Sequence, residues 1–175
     1  ITPEYADQID RLLERYDLVG FDPRGTGASD PVDCLPDEGL DALRALDPDP
    51  DTEDEVTFYD DSYEQFFAGC VESSDALIGH VTTVETARDL DVLRAALGQG
   101  ELDYFGASYG TQLGATYAEL FPNKVGRFVL DGAVDVSLDS LEKSIDQAEG
   151  FETALRAYVQ NCLDSTDNCF LGDSV

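Results

Sequence analysis

Gly106-Ala-Ser-Tyr-Gly110 is the segment from which the architecture of this chain can be inferred. Residues 102–105 before it are rich in strand formers, and residues 111–121 after it carry apolar side chains at helical spacing. A serine between two glycines, on a sharp turn from strand to helix, is raised above the edge of the sheet. The glycines let the two backbones approach closely. The pattern predicts that Ser108 is a nucleophile; the alternative is a glycine-rich turn in another α/β fold.

The segments on either side of this turn alternate between helix and strand. Helices are predicted over residues 3–15, 84–97 and 138–163, and strands over residues 17–21 and 125–130. Thr82 and Glu85 have the spacing of a capping box at the start of the second helix. Such alternation indicates a doubly wound, mostly parallel sheet. With the serine turn, it predicts an α/β-hydrolase fold that is incomplete in this chain.

The position of the single histidine limits what the chain can do alone. His80 precedes Ser108, whereas α/β-hydrolases carry their catalytic residues in the order serine, acid, histidine. A serine hydroxyl is a poor nucleophile unless a neighbouring base takes its proton. The chain is therefore part of a larger enzyme, an inactive relative, or an enzyme that uses His80 from an unusual position. We favour the first, and the absence of methionine also predicts that the chain does not begin at its own start codon.

Composition excludes several classes of function. The 175 residues include 38 acidic and 10 basic side chains, a net charge of −28, which would repel nucleic acid and anionic membranes. No run of about 18 apolar residues predicts a membrane-spanning helix. At 42% hydrophobic residues the chain is expected to fold around a core. Such an acidic surface suits high salt, where screening relieves self-repulsion.

Four cysteines indicate an oxidising compartment. None forms a C-x-x-C motif or a cluster with histidine, so no metal site is expected. The even number predicts two disulfides, Cys34–Cys70 and Cys162–Cys169, and a secreted protein. Free thiols in a cytosolic protein are the alternative.

The chain divides by composition into a core and two additions. Residues 1–30 and 84–137 are predicted to be parts of the hydrolase core. Residues 31–83 form an acidic insertion, with helices predicted over residues 40–46 and 58–71 and a solvated loop over residues 47–55. Residues 138–175 are expected to begin a helical lid.

At the level of longer segments the chain resembles a known family. Tyr16-Asp-Leu-Val-Gly-Phe-Asp-Pro-Arg-Gly-Thr-Gly-Ala-Ser29, Ala87-Arg-Asp-Leu-Asp-Val-Leu-Arg-Ala-Ala-Leu-Gly98 and Val129-Leu-Asp-Gly-Ala-Val-Asp135 are similar to the secreted tripeptidyl aminopeptidase branch of the α/β-hydrolases, relatives of proline iminopeptidase. The resemblance implies a serine exopeptidase that acts on free peptide N-termini. No cofactor is expected. The resemblance also implies an oxyanion segment before residue 1, and a catalytic aspartate and histidine after residue 175.

The resemblance assigns roles to individual residues. Ser108 matches the family nucleophile, Gly106 and Gly110 form its elbow, and the backbone N–H of Tyr109 supplies one oxyanion donor. Asp131 ends the next strand, where site residues gather in open α/β sheets. It is a lesser candidate for the acid that orients a histidine, because the family places that acid later; its other role is to cap a turn.

Asp22 and Arg24 match a family loop near the site, where they look structural. The function expected is therefore a serine exopeptidase, with the 175 residues inactive without the rest of the polypeptide. A peptide or ester is the expected substrate, and no nucleic acid or membrane is expected as a partner. An esterase of the same fold and a non-catalytic binding protein on this fold are the alternatives.

Overall fold

The computed structural model describes residue 10, residues 12–164 and residue 169. The chain separates into two compact units, Ile1–Thr86 and Ala87–Val175. Most of the predicted first helix, residues 3–15, lies outside the described residues. Within it, residues 10, 12 and 13 are helical.

The first unit is built on two helices, α1 (Asp37–Arg44) and α2 (Glu53–Ile78). Helix α2 begins with a capping box: the Glu55 N–H donates to the Thr52 hydroxyl at 3.3 Å, and the Glu55 carboxylate accepts from the Thr52 N–H at 3.0 Å. The helix therefore starts five residues before the predicted position. Residues 53–55 of the acidic run are helical, so the loop predicted there is shorter than expected.

A disulfide and a serine tie α2 to the segment before α1. Cys34 is bonded to Cys70. One turn further on, the Ser74 hydroxyl accepts from the Asp33 N–H at 3.0 Å and lies 3.3 Å from the Asp33 carbonyl. Ser74 has non-helical dihedrals, φ −131° and ψ 28°, so α2 is kinked at this point. The two attachments hold the segment before α1 against one side of α2.

The predicted strand over residues 17–21 is wrong for the described part of the chain. These residues carry no strand pairing, and Leu18 and Val19 are about half exposed. A strand is stable only when a neighbouring strand pairs with its backbone groups, and the described residues offer it none.

The second unit carries the sheet and the remaining helices. Helix α3 (Thr83–Ala96) starts at the end of the first unit and continues into the second; its Glu85 N–H donates to the Thr82 hydroxyl at 3.2 Å. The elements that follow are β1 (Leu102–Ala107), α4 (Tyr109–Leu120), a 3-10 turn (Pro122–Lys124), β2 (Val125–Asp131) and α5 (Ser140–Asp164). The strands pair in parallel, with Gly106 opposite Leu130 and Ala107 opposite Asp131. Their carboxyl ends therefore meet at one edge.

The core of the second unit lies along α3, α4 and one face of the sheet. Ala87 and Leu90 of α3 and Leu113 and Tyr117 of α4 are buried. The Tyr117 ring lies 5.9 Å from that of Phe128 on β2. This packing fixes α4 on the sheet, and with it the turn that precedes α4.

The α/β architecture predicted from the sequence is confirmed, and its sheet is incomplete as predicted. Among the described residues it comprises the parallel pair β1–β2 with its helices. No helix in the described ranges is long and apolar enough to cross a membrane.

Candidate functional site

Ser108 occupies the turn between β1 and α4. Its φ of 51° and ψ of −119° are unusual for a residue with a side chain. Such a conformation costs on the order of 1–3 kcal/mol and persists only where the surroundings hold it. Ser108 is exposed, at the edge where the carboxyl ends of both parallel strands meet. A strained, exposed serine at this edge is the arrangement predicted for a nucleophile.

Three glycines spaced four residues apart leave room beneath this turn for the ring of Tyr104. A Cβ at Gly106 would lie 2.6 Å from that ring, and one at Gly114 would lie 2.7 Å from it. The Tyr104 hydroxyl donates to the Gly110 carbonyl at 2.7 Å, and burial raises the pKa of this hydroxyl. Sequence reasoning identified Gly106 and Gly110 but missed Gly114 and Tyr104. The four-residue spacing of the glycines was the available signal.

The backbone of Ser108 is hydrogen-bonded on both sides. Its N–H donates to the Asp131 carbonyl at 2.9 Å, which ties the turn to the end of β2. Its carbonyl accepts from the Thr111 hydroxyl at 2.6 Å and the Thr111 N–H at 2.9 Å. That hydroxyl also accepts from the Val134 N–H at 3.0 Å. Sequence reasoning gave Thr111 no role in the site, because no local pattern shows which groups a threonine in the first turn of a helix will contact.

Tyr109 and Asp131 lie on either side of this turn. Tyr109 is the first residue of α4, so its N–H lies at the helix N-terminus, the positive end of the helix dipole, which favours negative charge nearby. Asp131 is exposed at the end of β2, and Gly132 after it has a φ of 67°. Ser108, Tyr109, the elbow glycines and the Asp131 backbone are therefore brought together.

An open groove of about 490 Å³ adjoins Ser108 within the second unit. One wall is the segment after β2, residues 132–135, and another is the first half of α5. The charged side chains that line it are Asp135, Lys143 and Asp146. Hydrogen bonds from the Ser137 hydroxyl and N–H lower the pKa of Asp135, and Lys143 adds to the effect. Side chains of both signs of charge therefore line the groove beside the serine.

His80, Asp22 and Arg24 belong to the first unit and are engaged there. The backbone N–H of His80 donates to the Leu77 carbonyl at 2.8 Å. The backbone carbonyl of His80 accepts from the Arg24 guanidinium at 3.2 Å. Arg24 also lies 3.7 Å from the Glu85 carboxylate. The Asp22 carboxylate accepts from the Ala28 N–H at 2.8 Å. These contacts hold the loop that contains Asp22, Arg24 and Ala28 in place.

The cysteines pair as Cys34–Cys70 and Cys162–Cys169. Within the described ranges, no three His, Cys, Asp or Glu side chains are grouped so as to hold a metal ion.

Comparison with known proteins gives a family match over residues 3–175, to the alpha/beta hydrolase fold. The serine protease Hip1 of Mycobacterium tuberculosis is 44% identical over 165 residues, which cover 93% of this chain and 31% of that protein. The tripeptidyl aminopeptidase of Streptomyces lividans is 46% identical over 140 residues, 78% of this chain and 26% of that protein.

A third relative carries a different name. Carboxylesterase B of Mycobacterium tuberculosis is 41% identical over 165 residues, 93% of this chain and 31% of that protein. The chain thus spans about a third or less of the length of these relatives.

Proposed function

Because the chain belongs to the α/β-hydrolase fold family, we propose that it carries the nucleophile of a secreted serine peptidase that acts on the free N-terminus of peptides. One observation carries the proposal: Ser108 lies at a strained strand-to-helix turn, at the carboxyl edge of a parallel sheet. The similarity to a tripeptidyl aminopeptidase and a serine protease supports a peptide as the substrate.

In this proposal the Ser108 hydroxyl attacks the carbonyl carbon of the scissile bond. A histidine takes the serine proton and later returns it to the leaving amine. The Tyr109 N–H donates to the oxyanion that forms on the carbonyl oxygen. One such donor is worth about 3–4 kcal/mol of barrier. Gly106 and Gly110 let β1 and α4 approach closely enough to present both groups on one turn.

We propose that the histidine and its orienting acid come from the same polypeptide, outside these 175 residues. The one histidine present, His80, precedes Ser108, whereas this fold places the base after the nucleophile. The part matched is 31% of one relative and 26% of the other, so the remaining length of each leaves room for both residues. Asp131 stays the lesser candidate for the acid. Without the histidine, residues 1–175 are expected to be inactive.

Secretion is proposed from the cysteines. Disulfides form and persist mainly in oxidising compartments, and the four cysteines are paired in two disulfides. In the cytosol, reductants keep most protein thiols reduced.

An esterase is the second candidate, favoured by the similarity to carboxylesterase B. Peptidases and esterases of this fold share the serine nucleophile and the oxyanion donors, so the site geometry suits both. Substrate profiling separates them.

The proposal is tested with the complete enzyme, meaning residues 1–175 together with the rest of the polypeptide, and with residues 1–175 alone. We expect the complete enzyme to cleave a fluorogenic tripeptide and to be labelled by a serine-directed phosphonate. Residues 1–175 should do neither, because the serine lacks a base. Acetylating the tripeptide N-terminus should abolish cleavage.

Ser108→Ala in the complete enzyme should reduce turnover by about 10⁶-fold and abolish labelling. Ser140→Ala, at an exposed serine of the same unit that does not line the groove, is the matched control and should be labelled like the wild type. Turnover by Ser108→Ala at the wild-type rate would exclude Ser108 as the nucleophile. Ester hydrolysis without peptide cleavage would favour the esterase.

A further inference from the structure

Thr111 has the most deeply buried polar side chain around the candidate nucleophile. It lies in the first turn of α4, three residues after Ser108, and is 2% exposed. A buried hydroxyl is costly unless it is hydrogen-bonded, and it can both donate and accept. The Thr111 hydroxyl both donates and accepts a hydrogen bond within the site.

Its two hydrogen bonds join two different parts of the chain. The hydroxyl donates to the Ser108 carbonyl at 2.6 Å and accepts from the Val134 N–H at 3.0 Å. Val134 belongs to the segment 132–135, which forms the groove wall after β2. A single oxygen atom therefore connects the backbone of the candidate nucleophile to the surface against which a substrate would lie.

A backbone bond runs beside this connection. The Ser108 N–H donates to the Asp131 carbonyl, immediately before the same wall. Both polar backbone groups of Ser108 are thus bound to the end of β2 or, through Thr111, to the segment after it. These bonds help to hold the left-handed conformation of Ser108, which an isolated serine would leave.

We propose that Thr111 is a positioning residue of the hydrolase site, which holds Ser108 and the wall 132–135 at a fixed spacing. The inference rests on the proposed function. A substrate bound against the wall then presents its carbonyl carbon to the Ser108 hydroxyl. Misplacement of reacting atoms by about 1 Å can cost about 100-fold in rate, so this spacing matters for chemistry more than for binding.

The same helix contains a threonine without such a connection. The Thr116 hydroxyl donates to the Gln112 carbonyl at 2.8 Å, the ordinary bond of a helical threonine to the preceding turn. This hydrogen bond involves neither Ser108 nor the wall. Thr116→Val is therefore the matched control for loss of a threonine hydroxyl from α4.

The test compares Thr111→Val, which keeps the shape and removes both bonds, with Thr111→Ser, which keeps the hydroxyl. In the complete enzyme, kcat for Thr111→Val should fall about 10- to 100-fold with KM within about threefold. Thr111→Ser and Thr116→Val should stay within about threefold of the wild type. Amide exchange of a peptide covering residues 132–136 should accelerate in Thr111→Val but not in Thr111→Ser, because only valine releases the Val134 N–H.

Each other result overturns the inference. A folded Thr111→Val enzyme with wild-type kcat would show that the spacing does not depend on the hydroxyl. Equal losses in Thr111→Ser would assign the effect to the methyl group, and equal losses in Thr116→Val would assign it to helix stability. If Thr111→Val does not fold, Thr111→Cys takes its place, since a thiol is a weaker donor and acceptor than a hydroxyl. Its kcat should then fall more than about threefold below that of the wild type, and a wild-type kcat would overturn the inference.

Ser108→Ala separates this inference from the proposed function. If Ser108→Ala is inactive while Thr111→Val retains full activity, the inference alone fails. If Ser108→Ala turns over substrate like the wild type, the proposed function fails.

Discussion

At the scale of single residues, the site depends on glycines, whose lack of a side chain leaves space for a neighbouring ring, as well as on Ser108 itself. Ser108 adopts its unusual backbone between Gly106 and Gly110. The Tyr104 ring occupies the space that a side chain at Gly106 or Gly114 would take. The side chain with the proposed chemical role and the groups that support it are therefore coupled by close contact. Adding a side chain at one of these glycines should therefore disturb the backbone conformation of Ser108.

Gly106→Ala tests this coupling. The added Cβ would lie 2.5 Å from the Gly110 carbonyl oxygen and 2.6 Å from the Tyr104 ring. Backbone must shift to relieve the first contact, so we expect the free energy of unfolding to fall by about 1–3 kcal/mol. Urea unfolding followed by circular dichroism measures the change. In the complete enzyme, serine labelling should slow as well.

Gly100→Ala is the control for that substitution. Gly100 precedes β1 and has nothing within 4 Å of an added Cβ. Its substitution should leave stability unchanged or raise it by up to about 1 kcal/mol. Equal destabilisation by both changes would show that the packing beneath the elbow is not responsible.

At the scale of elements, a polar cluster joins α3 to α4. The Asp91 carboxylate accepts from Arg94 at 2.8 Å and from the Tyr117 hydroxyl at 3.1 Å. Arg94 also donates to the Gln99 carbonyl, which holds the segment between α3 and β1. Tyr117 is fully buried. Burial is the main cause that raises the pKa of its hydroxyl, and the hydrogen bond to Asp91 raises this pKa further. This cluster fixes the helix that begins at the serine turn.

Asp91→Asn should change how stability depends on pH. The Arg94 hydrogen bond lowers the pKa of Asp91 in the folded chain, so folding favours its charged form. The stabilisation is therefore present above the unfolded pKa, near 3.9, and is lost as pH falls through the lower folded value. We expect the variant to be less stable at pH 7, with the difference narrowing below about pH 4.

Urea midpoints between pH 3 and pH 7 measure this difference. Glu119→Gln removes an exposed carboxylate from α4 that has no ion pair within the described ranges, and it should show no comparable change. A constant difference between Asp91→Asn and wild type down to pH 3 would contradict a role for the charge.

At the scale of the whole molecule, charge is the dominant feature. Thirty-eight acidic and ten basic residues leave a net charge of −28 on 175 residues. Few basic groups are available to pair with so many carboxylates, and the pairs at Arg127–Asp103 and Arg156–Glu152 are on the surface. Repulsion among the remaining carboxylates should oppose folding, most strongly where little salt screens it.

We therefore expect the melting temperature to rise with sodium chloride. The Debye length is about 30 Å at 0.01 M and about 3 Å at 1 M, so repulsion across the surface is removed over this range. Differential scanning calorimetry from 0.01 M to 1 M measures the effect. Potassium chloride at equal ionic strength should give the same shift, because screening depends on ionic strength alone. A flat or falling trend would argue against repulsion as a significant contribution.

Much of the fold could be predicted because its signals are local. The helical periodicity over α3 and α5 and the strand formers in β1 and β2 depend on residues close in sequence, and these elements form within a few residues of the predicted bounds. The early start of α2 had a local signal too, the Thr52–Glu55 capping box, which the prediction overlooked. The predicted strand at residues 17–21 failed because strand formation needs a partner strand, which no local pattern supplies.

The sequence by itself determined the α/β class, the turn that carries Ser108 and the charge of the molecule, because each follows from composition or from neighbouring residues. Only the tertiary structure decided which groups support that turn. Val134 meets the Thr111 hydroxyl across 23 residues, and Tyr117 meets Asp91 across 26. Such contacts form when packed elements bring distant side chains together, and polar side chains in a sequence do not reveal which partner they will meet. The physical reason is that local sequence determines the helices and strands, whereas the hydrogen-bond partner of a buried polar group depends on how those elements pack together.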